Sequence, residues 1–194
     1  VNFLTDPMFS ERASPFQFLG PKRFFPSSLS ASDVPVDVVL LSHTHYDHLD
    51  MLSARDIGNK ALWVVPLGVK ELLKSGANID NCIELNWWQD YTYTNREGQD
   101  VKITFAPTKH WTSRTFFDRN TCLWGSFVVS TCPSTNTGTA SPVHVNSEAR
   151  EERGQRERQQ GQSFYFGGDT AYCDKLFKNI GDRYGPFDLS LIPI

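Results

Sequence analysis

The chain is short of several things, and each shortage removes a class of function. No run of roughly eighteen apolar residues occurs in it, so this stretch carries no transmembrane helix. Positive charge is not in excess: 19 Lys and Arg face 22 Asp and Glu, for a net charge of −3. No global positive field therefore argues for nucleic acid as a partner. Cysteine is scarce at 4 residues, and Cys82, Cys122, Cys132 and Cys173 form no CxxC pair. They read as small reduced thiols rather than a disulfide framework, which fits an intracellular setting. Internal repeats are absent. What remains is an ordinary globular composition, 39% hydrophobic and 21% charged over 194 residues, enough for one domain with a real core. Aromatic residues are plentiful instead, at 13% with 14 Phe. The chain opens at Val1 and closes on the apolar run FDLSLIPI, which reads as an unfinished strand, so a fragment is expected.

Apolar runs predict strands at 1–5, 36–42, 62–65, 81–85, 101–107, 123–130 and 163–168, with a last one near the C-terminus. Asp50 is a ready cap for a short helix reaching about Gly58. Pro66 reads as the first residue of a helix that Gly76 stops, and residues 171–185 read as another helix. Strands alternating with helices give an α/β class with more than one sheet. Residues 8–35, rich in Phe, Pro and Ser, read as a long loop, and 131–162 as a disordered insertion too polar to bury a core.

Chemistry concentrates after the 36–42 strand, in His43-Thr44-His45-Tyr46-Asp47-His48. Residues two apart on a strand share a face, so His43 and His45 can aim at one spot. Asp47 and His48 follow as the chain leaves the strand and can turn toward a second spot nearby. Three imidazoles and a carboxylate suit zinc, and crowding them without a metal would be costly. His110 and Asp169 lie just past two further strands, and Gly167-Gly168 before Asp169 permit close backbone approach. Together these residues make a distributed site rather than a local motif.

At HxHxDH after a strand, followed by a later His and a later Asp, the chain resembles the metallo-β-lactamase fold. The segments LTDPMFSERASP, GPKRF, SHTHYDHLD, VPLG, IELNWW, HWTSRT, LWGS, FGGDTAYC and RYGPFDLSLIPI resemble the N-acylphosphatidylethanolamine-hydrolysing phospholipases D. The resemblance covers 1–130 and 163–194. It implies an αββα sandwich, incomplete at both ends, forming part of a single metallo-hydrolase domain over 1–194. It also implies two zinc ions. His43, His45 and His110 would hold the first, Asp47 and His48 the second, with Asp169 bridging and a seventh ligand beyond Ile194. Asp6 would orient a ligand imidazole rather than bind metal.

The reaction so implied releases N-acylethanolamine and phosphatidic acid, with water activated between the metal ions attacking phosphorus and no protein nucleophile. Asp47 or Asp169 would position that water or take its proton. Arg114 would meet the substrate phosphate, and Tyr46, Gln17 and Phe18 would line the lipid entry. Residues 16–25 interleave aromatics with Lys22 and Arg23, a composition suited either to a bilayer interface or to packing on the core. The expected setting is thus intracellular and peripheral to a membrane, with a membrane phospholipid as substrate and a homodimer left open. Two alternatives stand beside this reading. One is a soluble hydrolase of another ester on the same fold. The other is a catalytically silent metal- or lipid-binding fragment, since without the seventh ligand the 194-residue chain is expected to bind zinc poorly and turn over little.

Overall fold

A computed structural model describes residues 1–115, 117–131 and 161–192. The expected insertion at 131–162 falls almost wholly outside the described residues. The chain separates into two compact units, one of residues 1–86 and 110–125, the other of 87–109 and 126–194.

The first unit holds a four-stranded parallel sheet in the order β1-β2-β3-β4: β1 Phe3–Thr5, β2 Val38–Leu40, β3 Leu62–Pro66 and β4 Cys82–Leu85. Val38, Val39 and Leu40 are all fully buried, as expected of β-branched and aliphatic residues in a parallel strand covered on both faces. Two helices connect the strands, α1 at Met51–Ile57 and α2 at Lys70–Ala77. The core joins them to the sheet through Val39, Leu41, Leu49, Ile57, Trp63, Val65, Leu73 and Ile79. Asp50 caps α1, accepting from the Leu52 amide, as the sequence suggests. The second helix departs from expectation at both ends. Pro66 is the last residue of β3, in register with Leu85, and α2 begins only at Lys70. Gly76 lies inside α2, and Asn78 ends it in the left-handed region at φ 55°, a conformation Asn tolerates.

The second unit holds five strands in sequential order: β5 Asp90–Thr94, β6 Asp100–Ala106, β7 Ser126–Thr131, β8 Ser163–Phe166 and β9 Leu189–Leu191. The first four are antiparallel, and β9 joins β8 in parallel after the crossover helix α3, Asp174–Tyr184. Ala106, Val128, Tyr165 and Ile180 form its core with Trp88, Leu176 and Phe187. Strand β5 escaped the sequence reading, although the alternation Tyr91-Thr92-Tyr93-Thr94 before an Asn95–Gly98 turn is a strand signal.

The long loop of 8–35 is also more ordered than its composition suggests. Ala13 N–H donates to Pro21 O at 3.0 Å and Arg23 N–H to Glu11 O at 2.9 Å, beside an Arg12–Lys22 bridge. This short ladder makes residues 11–23 a hairpin-like excursion. Cys82, Cys122 and Cys173 are free thiols, and burial pushes the Cys82 thiol up to about 12, which keeps it protonated and inert.

Candidate metal centre

The site grows from the C-terminal end of β2, where ligands gather in parallel α/β sheets. Past Leu40 the chain stays buried through Ser42, His43 and Thr44 before turning outward at Tyr46 and Asp47. His48 and Leu49 amides both donate to His45 O, at 3.1 and 2.8 Å, and this tight turn leads straight into the Asp50 cap.

Three imidazoles meet there. His43 Nε2 lies 2.9 Å from His45 Nδ1, and His110 Nε2 lies 3.2 Å from the same atom. Zinc–nitrogen bonds of about 2.0–2.1 Å at tetrahedral angles separate ligand nitrogens by about 3.3–3.4 Å, so this convergence fits a metal ion. Burial, with the neighbouring charges of His48, His45 and His110 adding to it, pushes His43 down to about 2. It is therefore a neutral imidazole at ordinary pH, the form that binds metal. Trp111 packs edge-on against His45 at 4.4 Å between ring centroids, and Arg119 covers Trp111.

A second group comprises Asp6, His43 and His48. Asp6 sits in the Asp-Pro turn after β1 with φ 40°, its amide held by Leu40 O at 3.0 Å. Its carboxylate is heavily engaged: Oδ2 accepts from Ser42 Oγ at 2.5 Å and from His48 Nδ1 at 2.6 Å, and Oδ1 accepts from the Ser42 amide at 2.7 Å. Spending both oxygens on protein donors suits it to orienting His48, whose Nε2 is then left as the donor atom for an ion. Asp47 Oδ2 stands 3.7 Å from that Nε2 and is 63% exposed, outside both groups of potential donors. Asp169 follows β8 in the other unit, in a turn where the Ala171 amide donates to Lys109 O and the Lys109 amide to Thr170 Oγ1.

Arg114 does something its expected phosphate contact did not include. Its Nη1 donates to Thr44 O at 2.9 Å and Leu49 O at 2.8 Å, the carbonyls that bracket the histidine turn. The guanidinium lies 4.3 Å over the Tyr46 ring, and Tyr46 Oη donates back to Arg114 O at 2.6 Å. Thr44 and Thr112 add a short hydroxyl–hydroxyl bond between the same two segments. Asp118 Oδ1 closes the second segment on itself, accepting from Ser113 Oγ and the Arg114 and Thr115 amides. The loop bearing His110 is thus clasped onto the loop bearing His43 and His45. Sequence reading assigned no task to Ser42, Thr44, Trp111 or Thr112, although each lies within two residues of a candidate ligand.

Gln17 and Phe18 stay with their own hairpin. Gln17 bonds the backbone of Arg12 through both its amide atoms, and Phe18 is 81% exposed with its ring against Phe16. The two cations nearby are spent locally, Lys22 on Glu11 at 2.5 Å and Arg23 on Met8 O at 2.6 Å.

Residues 1–142 match the β-lactamase superfamily domain. The chain belongs to that superfamily. It is 36% identical over 202 residues to N-acyl-phosphatidylethanolamine-hydrolyzing phospholipase D 1 of Caenorhabditis elegans, an alignment covering 100% of this chain and 49% of that protein. The mitochondrial protein of that activity in Saccharomyces cerevisiae is 32% identical over 197 residues, covering 100% of this chain and 36% of its own length. The chain therefore spans about half or less of these relatives. Among solved structures, a possible metal-dependent hydrolase from Veillonella parvula aligns with a TM-score of 0.56 at 16% identity, over 95% of this chain and 62% of that one. The likeness establishes the α/β metallo-β-lactamase-like fold with two sheets that the sequence led us to expect.

Proposed function

We propose that this superfamily member is a zinc-dependent phosphodiesterase of the phospholipase D type. It would hydrolyse N-acylphosphatidylethanolamine to N-acylethanolamine and phosphatidic acid at an intracellular membrane surface. The observation that carries the reading is the convergence of His43 Nε2, His45 Nδ1 and His110 Nε2. The 36% identity to the nematode enzyme of that name supports the substrate.

His43, His45 and His110 would hold one zinc ion and Asp47 and His48 a second, with Asp169 shared between them in the sequence reading. Bound divalent metal supplies a Lewis acid for a phosphoryl oxygen and acidifies water for attack on phosphorus. The protein's own work is positional. Asp6 fixes the His48 ring, and the Arg114–Tyr46 clasp fixes the spacing of the two histidine loops. Asp47, exposed beside His48, would accept a proton from incoming water. Arg114 would reach a substrate phosphate only with nitrogens not spent on Thr44 and Leu49. Exposed Phe16, Phe18, Leu19, Phe24 and Phe25 give an apolar surface for a bilayer interface.

Vesicles containing N-acylphosphatidylethanolamine test this reading by mass spectrometry of both products. The whole protein, loaded with zinc, is expected to release them in equal amounts, to stop with chelator and to recover with added zinc. Cleavage of small soluble esters alone would sink it.

A further inference from the structure

The hydrogen-bond directions around Asp6 fix more than the ring they were expected to fix. Ser42 is fully buried, and its Oγ touches two partners: Asp6 Oδ2 at 2.5 Å and His43 Nδ1 at 2.9 Å. A hydroxyl has a single hydrogen, and a carboxylate can only accept, so that hydrogen belongs to the Asp6 bond. Toward His43 the oxygen must then act as acceptor, and Nδ1 must carry the proton. A neutral imidazole has one N–H, which leaves Nε2 with its lone pair. That lone pair faces His45 Nδ1 and, beyond it, His110.

The same carboxylate oxygen accepts from His48 Nδ1 at 2.6 Å, which by the same rule leaves His48 Nε2 as that ring's lone-pair atom. One carboxylate therefore sets two rings, one directly and one through a serine. Asp6 is in turn held rigid, with its amide on Leu40 O and its second oxygen on the Ser42 amide.

We propose that Ser42 is a positioning residue: its hydroxyl carries the acceptor of Asp6 on to His43, locking His43 in the Nδ1–H tautomer so that its Nε2 is presented to a metal ion. The inference rests on the metal-centre reading for its purpose but not for its geometry. It has a consequence in the metal-free protein. The proton shared between His43 Nε2 and His45 Nδ1 must come from His45, so ion binding requires a tautomer change at His45 and none at His43.

Nitrogen-15 spectra of the zinc-free protein test the lock without any activity assay. His43 is expected to show a protonated Nδ1 and an unprotonated Nε2; a protonated Nε2 in the wild-type protein overturns the proposal whatever the variants do. Zinc affinity of the whole protein, measured by chelator competition, gives the second readout. Ser42→Ala keeps the backbone bond to Asp6 and is expected to weaken zinc binding about 10–100-fold, the usual effect of losing a partner behind a ligand. Ser42→Thr, which restores the hydroxyl, is expected to recover most of that loss. Wild-type affinity in Ser42→Ala, or no recovery in a folded Ser42→Thr, would also overturn it. A wild-type protein that binds no zinc but shows the expected tautomer would remove the metal reading and leave the relay standing.

Discussion

Two segments of the first unit use their side chains in opposite directions. From Ser42 to Asp50 nearly every polar group turns inward: Ser42 and His48 onto Asp6, Thr44 onto Thr112, Tyr46 onto Arg114, and Asp50 onto Ser10, Leu52 and Ser53. From Phe16 to Leu29 the large side chains turn outward, with Phe24 92% and Phe18 81% exposed while the charged groups pair with near neighbours. The first segment is over-determined, as a site that must hold donor atoms in place has to be. The second carries apolar surface that the fold itself does not use, which is what a binding surface costs a protein in solubility. Substitutions in the two segments should therefore fail in different ways.

The largest effect is expected where geometry and chemistry coincide. His45 supplies the nitrogen that both His43 and His110 face, so His45→Ala removes the centre of the convergence. In the whole protein, zinc content and hydrolysis should both fall by more than about 100-fold, beyond the loss of a partner behind a ligand. Metal analysis alongside the vesicle assay reads this, and a variant that keeps both would refute the assignment.

Next comes the clasp. Arg114→Ala strips the buried carbonyls of Thr44 and Leu49 of their shared donor and uncovers the Tyr46 ring. Denaturant unfolding should register a loss of about 2–4 kcal/mol, because two acceptors lose a charged partner together. Arg114→Lys should recover little, since a single ammonium lacks the flat face that lies over Tyr46. If Arg114 served substrate phosphate alone, stability would not move and only turnover would fall.

How much of this was readable in advance follows from how local each cause is. The His43–His48 cluster, the Asp50 cap and the buried β2 run all declare themselves within a few residues, and the structure contains those elements. Arg114 is different. A guanidinium four residues after a histidine looks the same in sequence whether it meets phosphate or two carbonyls 70 and 65 residues away, and only tertiary packing decides. Ser42 was hidden for another reason: the direction of one hydroxyl hydrogen depends on both its neighbours at once. The Pro66 error has a third cause. Proline fits the first turn of a helix and the end of a strand equally well, and pairing with β4 settled it.

A smaller effect is expected at Asp50, where the inward segment meets α1. Burial alone would raise its carboxyl, yet hydrogen bonds from Ser10, Ser53 and Leu52 outweigh that and hold it below its ordinary value of 3.8. A carboxyl with a lowered folded value binds protons more readily when unfolded, so its contribution is complete above about 3.8 and drains away as pH falls through the lower folded value. Asp50→Ala should cost about 1–3 kcal/mol at neutral pH, from the lost cap and the unmet donors. The variant should also lose less on acidification than the wild-type protein. Urea unfolding at neutral and acidic pH reads both, and parallel curves would mean that Asp50 is not the group responsible.

The outward segment should respond least in stability and most selectively in behaviour. Phe24 and Phe25 meet edge to face, with ring centroids 5.0 Å apart, and are 92% and 75% exposed. Replacing both by Ser should leave the unfolding free energy within about 0.5 kcal/mol, as for surface positions that bury nothing. If these rings enter a bilayer, the same change forfeits apolar burial of roughly 1.5–3 kcal/mol per ring at most. Vesicle sedimentation should then show binding weakened by about tenfold or more, while zinc content stays at the wild-type level. An unchanged partition with unchanged stability would assign the exposed rings to something other than lipid. A stability loss of several kcal/mol would instead mean that the segment packs inward in solution, and the contrast between the two segments would disappear.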